Sequence, residues 1–368
     1  MVVSDPQDLK YVRPAMTQML CKAYDSYSPD LVLFNGDNIL GNHLLDARFG
    51  NRKVAFGADA TFESMKEALS KLLTDVDSRN IPFAMVYGNH DDMNLLTKEE
   101  QMAIYHSYDN CLEMNISDKS VDCDTYVITL TDKNGKVIWA VYMLDSAWQD
   151  KDRERKCHCE IKKETVDWFI RTSNALKESN GGKPVPGIVL THIPLPEIYN
   201  LLKECDENTP GAIKCDDGKY RILNDSVASG IMMEAPSVVT EENGLFDAMA
   251  DNSGVKAIVF GHDHSNCFDG TYRNIDILQT GAASFRCYGN VNTKGIRLID
   301  LQKDGNYSTR FIKYKEIMGD TVSSNIRYFN NADEHAVKKY SILGSAAIAA
   351  SAITVFKIIK HIIKKSEG

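Results

Sequence analysis

Short β-branched runs that end near Gly, Asn, Asp or His recur along the chain: "MVVS", "LVLFNG", "FAMVYG", "VIWAVYML", "GIVLTH" and "AIVFGH". Such continuous apolar runs bounded by turn formers predict buried strands. Between several of them, residues 9–27, 61–78, 163–178 and 243–251 carry apolar positions three and four apart, which predicts helices. Strands alternating with helices predict an α/β domain. Residues 107–160 break the rhythm, because "TYVITLTDKNGKVIWAVYML" reads as two strands around a turn at Asn134-Gly135. A second hairpin is predicted near Asp304-Gly305. With no internal repeat and no low-complexity linker, residues 1–317 read as one domain, followed by a connector over 318–337.

The C-terminal stretch has another pattern. Tyr340 to Phe356 contains no charge and is followed by "KIIKHIIKKSEG". As a helix this run spans about 25 Å at 1.5 Å per residue, short of the ~30 Å hydrocarbon core unless the isoleucines beyond Lys357 join it. Lys357 and Lys360 can snorkel to the headgroups. Val355, Phe356, Ile358, Ile359, Ile362 and Ile363 also share one helical face opposite four lysines, the spacing of an interfacial helix. The bland alternative is a helix packed on the domain. The expectation adopted is a hydrophobic, amphipathic helix over 338–365 that anchors the protein to a membrane. The catalytic domain is then lumenal or extracellular if upstream sequence is missing, and a cytosolic tail-anchored domain if Met1 is the true start, since "MVVSDPQD" enters a strand with no signal-peptide core.

Composition narrows the partners. A formal charge of -9 and a pI near 5.5 argue against a surface that follows a polyanionic backbone, so long nucleic acid is excluded as a substrate. The cysteine count is odd, and Cys157-His158-Cys159 is too tight for an ordinary structural zinc site; it reads as a loop.

Chemistry sits at the strand ends. In order they carry Asp37 in "FNGDN", Asn89 and His90 in "YGNHDD", His192 in "LTHIP", and His262 and His264 in "FGHDH". Each alone is commonplace turn chemistry. Together, at consecutive strand termini of an α/β sheet, they mark the edge where ligands collect. One carboxylate, one amide oxygen and three imidazoles suit two adjacent metal ions, with mixed nitrogen and oxygen donors favouring Fe, Mn or Zn over Mg or Ca. Paired ions generate hydroxide at neutral pH and clamp a phosphoryl group in line.

This ordered set resembles the calcineurin-like metallophosphoesterases, and the longer strings "LVLFNGDNILG", "YGNHDD", "THIPLPE" and "GHDHSNCFDG" resemble the single-domain, purple-acid-phosphatase-like branch of plants, fungi and microbes, over about residues 1–315. The resemblance implies a four-layer αββα sandwich of two mixed β-sheets with flanking helices, and a dinuclear metal centre at the strand ends. It implies that Asp5 of "SDPQD" supplies the opening carboxylate and that Asp37 bridges. Asp5 and His264 then serve the first ion, and Asn89, His192 and His262 the second. His90 would face the substrate, stabilising phosphoryl charge or protonating the leaving oxygen, with Asp91 orienting it. The implied activity is hydrolysis of a phosphomonoester, of a small molecule or a phosphoprotein, by metal-activated hydroxide.

Two departures stand against the family pattern. The usual Asp-x-His opening is Asp5-Pro6-Gln7 here, so the first ion is held more weakly or completed by water, with Gln7 at most a weak ligand. The tyrosine three residues after the bridging aspartate is replaced by Leu40, so no purple charge-transfer band is expected. Arg286 and Tyr288 in "ASFRCYG" are candidate phosphate contacts, with a plain loop the better reading, and His43 reads as a surface histidine. Two other functions stay open: cleavage of small diesters or nucleotides by the same ions, and a membrane-tethered binding module whose metal site is vestigial.

Overall fold

A computed structural model of the chain describes residues 1–7, 14–40, 57–114, 118–147, 160–240, 244–251, 253–285, 287–331 and 342. The described strands are β1 (Val2–Val3), β2 (Val32–Asn35), β3 (Phe83–Val86), β4 (Tyr126–Thr131), β5 (Val137–Met143), β6 (Gly187–Leu190), β7 (Leu202–Cys205), β8 (Ile213–Lys214), β9 (Tyr220–Leu223), β10 (Ala228–Ile231), β11 (Val255–Phe260), β12 (Cys267–Tyr272), β13 (Ile275–Gln279), β14 (Gly295–Leu301) and β15 (Tyr307–Lys313). The helices are α1 (Pro14–Tyr27), α2 (Gly57–Asp77), α3 (Lys98–Tyr105), α4 (Lys163–Ser179), α5 (Leu245–Ala250), α6 (Tyr314–Met318) and α7 (Val322–Asn331). The strands and helices expected within residues 1–317 have counterparts, and both hairpins form, as β4–β5 and β14–β15.

Two large mixed sheets result. One runs β15-β14-β1-β2-β3, with β1, β2 and β3 parallel; the other runs β10-β12-β13-β11-β6-β5-β4, with β13, β11, β6 and β5 parallel. A small third sheet, β7-β9-β8, was not foreseen from the sequence. In the larger sheet, side-chain alternation sorts each strand between two cores. Val141, Met143, Ile188, Leu190, Ala257 and Val259 join a core shared with β1, β2 and β3 of the other sheet, whereas Tyr142, Val189, Ile258 and Phe260 join a second core with Val166 and Phe169 of α4 and Leu245 and Phe246 of α5. Both faces are covered, which is why these strands read as unbroken apolar runs. Each fully buried Val, Leu or Phe adds about 1.5–3 kcal/mol.

One buried polar group ties the sheets together. Arg297 on β14 is fully buried and reaches across to Asp269 on β12 through Nη1–Oδ2 at 3.0 Å and Nη2–Oδ1 at 2.5 Å, while also donating to Thr280 Oγ1 and the Gln279 carbonyl.

The expected membrane association is corrected. Among the described residues no helix is long and apolar enough to cross a membrane. The longest, α2, has 21 residues but carries Glu63, Lys66, Glu67, Lys71 and Asp75 along its length, a charge load that a bilayer interior opposes. Residues 338–365, Ile342 apart, lie outside the described residues, and the 17 uncharged positions from Tyr340 to Phe356 fall short of the hydrocarbon thickness by themselves. Membrane anchoring, and the lumenal or tail-anchored placements drawn from it, are therefore withdrawn. The stretch expected as a connector, 318–337, contains α7; Tyr314 Oη of α6 donates to the Ser324 carbonyl within it.

Candidate metal centre

The carboxyl ends of the parallel strands of both sheets open onto one place. β1 delivers Asp5, β2 delivers Asp37 and the turn after β3 delivers Asn89 and His90; from the other sheet, β6 delivers His192 and β11 delivers His262 and His264. Ligand-type atoms of Asp37, His192 and His262 lie within 4.8 Å of one another, as do those of Asp5, Asp37 and His264. Asp37 belongs to both groups. Asn89 joins the first, its Oδ1 standing 3.2 Å from His192 Nε2.

Local backbone geometry throws these side chains inward. Asp5, Asp37 and His262 all have positive φ, 49°, 49° and 71°. Non-glycine residues in this region cost about 1–2 kcal/mol each, a strain that persists only where surrounding contacts hold it. Here the holding contacts are visible: His262 N–H donates to both Asp5 oxygens at 3.2 and 3.0 Å, and His90 N–H donates to Asp37 Oδ1 at 2.8 Å. Two glycines make the convergence possible. A Cβ on Gly36 would fall 2.4 Å from His192 Nδ1, and one on Gly88 would fall 2.2 Å from Asp37 Oδ1.

The imidazoles are oriented from behind. Asn35 O accepts from His192 Nδ1 at 2.9 Å, which turns the ring so that Nε2 faces Asp37, 3.3 Å from its Oδ1. The Tyr288 carbonyl does the same for His264 Nδ1 at 3.2 Å, and the Tyr288 ring stacks on the His264 ring at 4.4 Å. Asn35 was missed in the sequence. Its side chain donates to the carbonyls of Thr191 and Val259, linking the end of β2 to the ends of β6 and β11. The available signal was an amide closing the apolar run "LVLFN".

Electrostatics follow from burial and proximity. Burial opposes the Asp37 charge, yet His192, His90 and His262 hold its carboxyl well below the usual range. Burial likewise opposes a proton on His192, but Asp37 and Asp5 push it up to about 10. A buried cluster of acids and imidazoles that must share protons when empty is one that gains from a cation.

Asp91, expected to orient His90, is engaged by backbone amides. Its carboxylate accepts from the amides of Gly88 at 2.7 Å, Asn38 at 3.1 Å and Ile39 at 3.1 Å, clamping the Asp37 turn to the Asn89 turn. Burial, reinforced by the Asp37 charge, pushes it up to about 7. His90 keeps a quarter of its side chain exposed, with Nε2 4.0 Å from Asp37 Oδ2. Gln7 is buried and its amide nitrogen faces Asp37 and His264. Arg286 and His43 lie outside the described residues. Leu40 is buried.

Asp263 and Asn266, between and beyond the two histidines of "GHDHSN", were also passed over. Asn266 Oδ1 accepts from the amides of Met233 and Glu234, and Asp263 Oδ1 from that of Ser237, so they hold the 233–237 loop beside the site. Both lie past the end of β11 in a turn, where no strand period signals which way a side chain points.

Comparison with known proteins gives the family. Residues 1–266 match the family described as calcineurin-like phosphoesterase. The chain is 24% identical over 305 residues to "Probable inactive purple acid phosphatase 29" of Arabidopsis thaliana, covering 78% of this chain and 68% of that one. It is 24% identical over 261 residues to "Phosphatase DCR2" of Saccharomyces cerevisiae, covering 69% of this chain and 39% of that one. A crystal structure of a dimetal phosphatase from Danio rerio superposes with a TM-score of 0.46 at 10% identity, covering 85% of this chain and 98% of that one. The chain thus spans about two thirds of the plant relative and well under half of the yeast one. Since the matched residues make up most of the chain and include every strand end that contributes to the cluster, the chain belongs to the calcineurin-like phosphoesterase family, hydrolases that act on phosphoric ester bonds.

Proposed function

We propose that the protein is a metal-dependent phosphomonoesterase. One observation carries this reading: Asp37, Asn89, His192 and His262 converge from four strand ends, while the partly exposed His90 stands beside them at the rim. In this reading Asn89, His192 and His262 would hold one ion and Asp5 and His264 the other, with Asp37 common to both groups. The buried, acceptor-rich donor set fits Fe, Mn or Zn. Such a pair, when bound, supplies charge neutralisation for the phosphoryl oxygens and an activated water.

The chain's own groups supply the rest. Asn35 and the Tyr288 carbonyl orient the imidazoles, and Asp91 registers the two turns against each other. His90 hydrogen-bonds the phosphoryl group and gives a proton to the departing alcohol oxygen. The reading also carries the four-layer organisation, with a catalytic unit of residues 1–317. A phosphorylated small molecule or phosphoprotein is the substrate, small diesters and nucleotides being the neighbouring alternative.

A second reading has its own support. Gln7 puts an amide where the family pattern has a histidine, and plant relatives are named as probable inactive phosphatases, so a weakened site that only binds phosphorylated ligands is the competitor. Turnover of p-nitrophenyl phosphate with added Mn, Fe or Zn separates the two. The wild type is expected to turn over and Asn89→Ala to lose at least tenfold. Equal rates in the two proteins would sink the phosphatase reading.

A further inference from the structure

Two large apolar side chains stand exposed beside the metal centre. Tyr288 is 48% exposed and Met233 47%. Other exposed apolar side chains, such as Ile170 on α4 and Val322 and Ile326 on α7, belong to helix surfaces. Tyr288 and Met233 instead sit on segments fastened to the turn that carries His264.

The fastening is polar and largely buried. The Tyr288 ring lies parallel to the His264 ring, with centroids 4.4 Å apart and an interplanar angle of 3°. Lys294, itself 2% exposed, donates to the Tyr288 carbonyl at 2.8 Å, and Thr293 Oγ1 donates to the His264 carbonyl at 3.0 Å. On the other segment, the amides of Met233 and Glu234 share Asn266 Oδ1 at 3.0 and 3.2 Å, and Asn266 Nδ2 donates to the Glu234 carbonyl at 3.1 Å. Glu234 Oε1 accepts from Ser265 N–H at 2.6 Å. Ser265 and Asn266 directly follow His264, so both segments are tied to one short turn. Apolar groups held in place by such ties while still facing water are preorganised for a ligand.

Position decides which ligand. A phosphoryl group at the centre must send its ester substituent out past the rim, where His90 is also partly exposed. An aromatic ring and a polarisable thioether favour a flat apolar substituent, through offset stacking and sulfur–ring contact. The Glu234 carboxylate, next to Met233 in the chain, disfavours substituents that carry further negative charge.

We propose that Tyr288 and Met233 are the specificity residues of the site and select aryl phosphomonoesters, the aryl ring of the substrate lying against the exposed phenol and thioether. This rests on the phosphomonoesterase reading above and narrows its substrate class.

The test is calorimetric binding of phenylphosphonate and methylphosphonate, which are not hydrolysed, to the full chain with Mn²⁺. Wild type is expected to bind phenylphosphonate about tenfold more tightly than methylphosphonate. Tyr288→Ala and Met233→Ala are each expected to cut that ratio about threefold, and Tyr288→Phe to keep it. The ratio is the readout because a loss of stacking on His264 that merely loosened the centre would weaken both phosphonates alike. A peptide bearing phosphonomethylphenylalanine, titrated beside phenylphosphonate, separates the two sources of an aryl group: tighter binding of the peptide points to phosphotyrosyl protein, weaker binding to small aryl esters. Equal affinity for the two phosphonates in wild type, or a ratio moved by neither alanine substitution, would overturn the proposal and leave the phosphomonoesterase reading standing. An intact ratio without turnover of p-nitrophenyl phosphate would remove that reading and support the two residues as a binding feature. Failure of both phosphonates to bind would bring down both.

Discussion

Asp91→Ala is the most discriminating single change, because the sequence and the structure assign this residue different work. As an orienter of His90, Asp91 would affect turnover and leave stability alone. As the structure has it, the carboxylate satisfies the buried amides of Gly88, Asn38 and Ile39. Losing the partner of a buried donor costs about 1–3 kcal/mol, so three stranded amides amount to about 3–6 kcal/mol once water recovers part of the loss. That is a large share of a typical 5–15 kcal/mol total. Asp91→Asn keeps one carboxamide oxygen able to accept twice, and its deficit is expected to be about 1–2 kcal/mol. The pH dependence adds a sign. The Asp91 carboxyl is raised to about 7 in the fold, so its contribution is fully present below the unfolded value near 3.8 and is lost as pH rises through about 7. In metal-free protein the Asp91→Asn deficit relative to wild type should therefore shrink between pH 5 and pH 8. Urea unfolding followed by circular dichroism at the two pH values measures both effects. An Asp91→Ala protein within 1 kcal/mol of wild type, but slow in turnover, would refute the clamp and restore the role read from the sequence.

Two further changes probe the packing behind the site. Gly36→Ala places a methyl 2.4 Å from the His192 ring at a φ of 80°, so it should displace that imidazole; Mn²⁺ affinity measured by calorimetry is expected to fall at least tenfold, and an unchanged affinity would contradict the close approach. Arg297→Met removes the buried partner of Asp269 between the sheets and should cost about 3–5 kcal/mol in urea unfolding, with a loss below 1 kcal/mol showing that the cross-sheet pair contributes little.

The chain read alone marked out the main strands and helices and the candidate ligands of this protein. Apolar runs such as "LVLFNG" and "AIVFGH" are buried on both faces and so announce themselves without any partner, and the polar residues just past them are too consistent in type to be turn filler. Asp37, Asn89, His90, His192, His262 and His264 stood out that way as candidates, and Asp5 only through the family resemblance. What tertiary structure alone decided is how these ends face one another. Two sheets meet at their carboxyl edges through contacts between residues far apart in sequence, such as Asn35 with Thr191 and Val259, or Arg297 with Asp269, and no local period encodes such a pairing. The contacts of Asp91 were hidden for the same reason. A carboxylate in a turn looks alike in sequence whether it meets a ring or a backbone, because which partner it meets is set by the fold that brings the partner there.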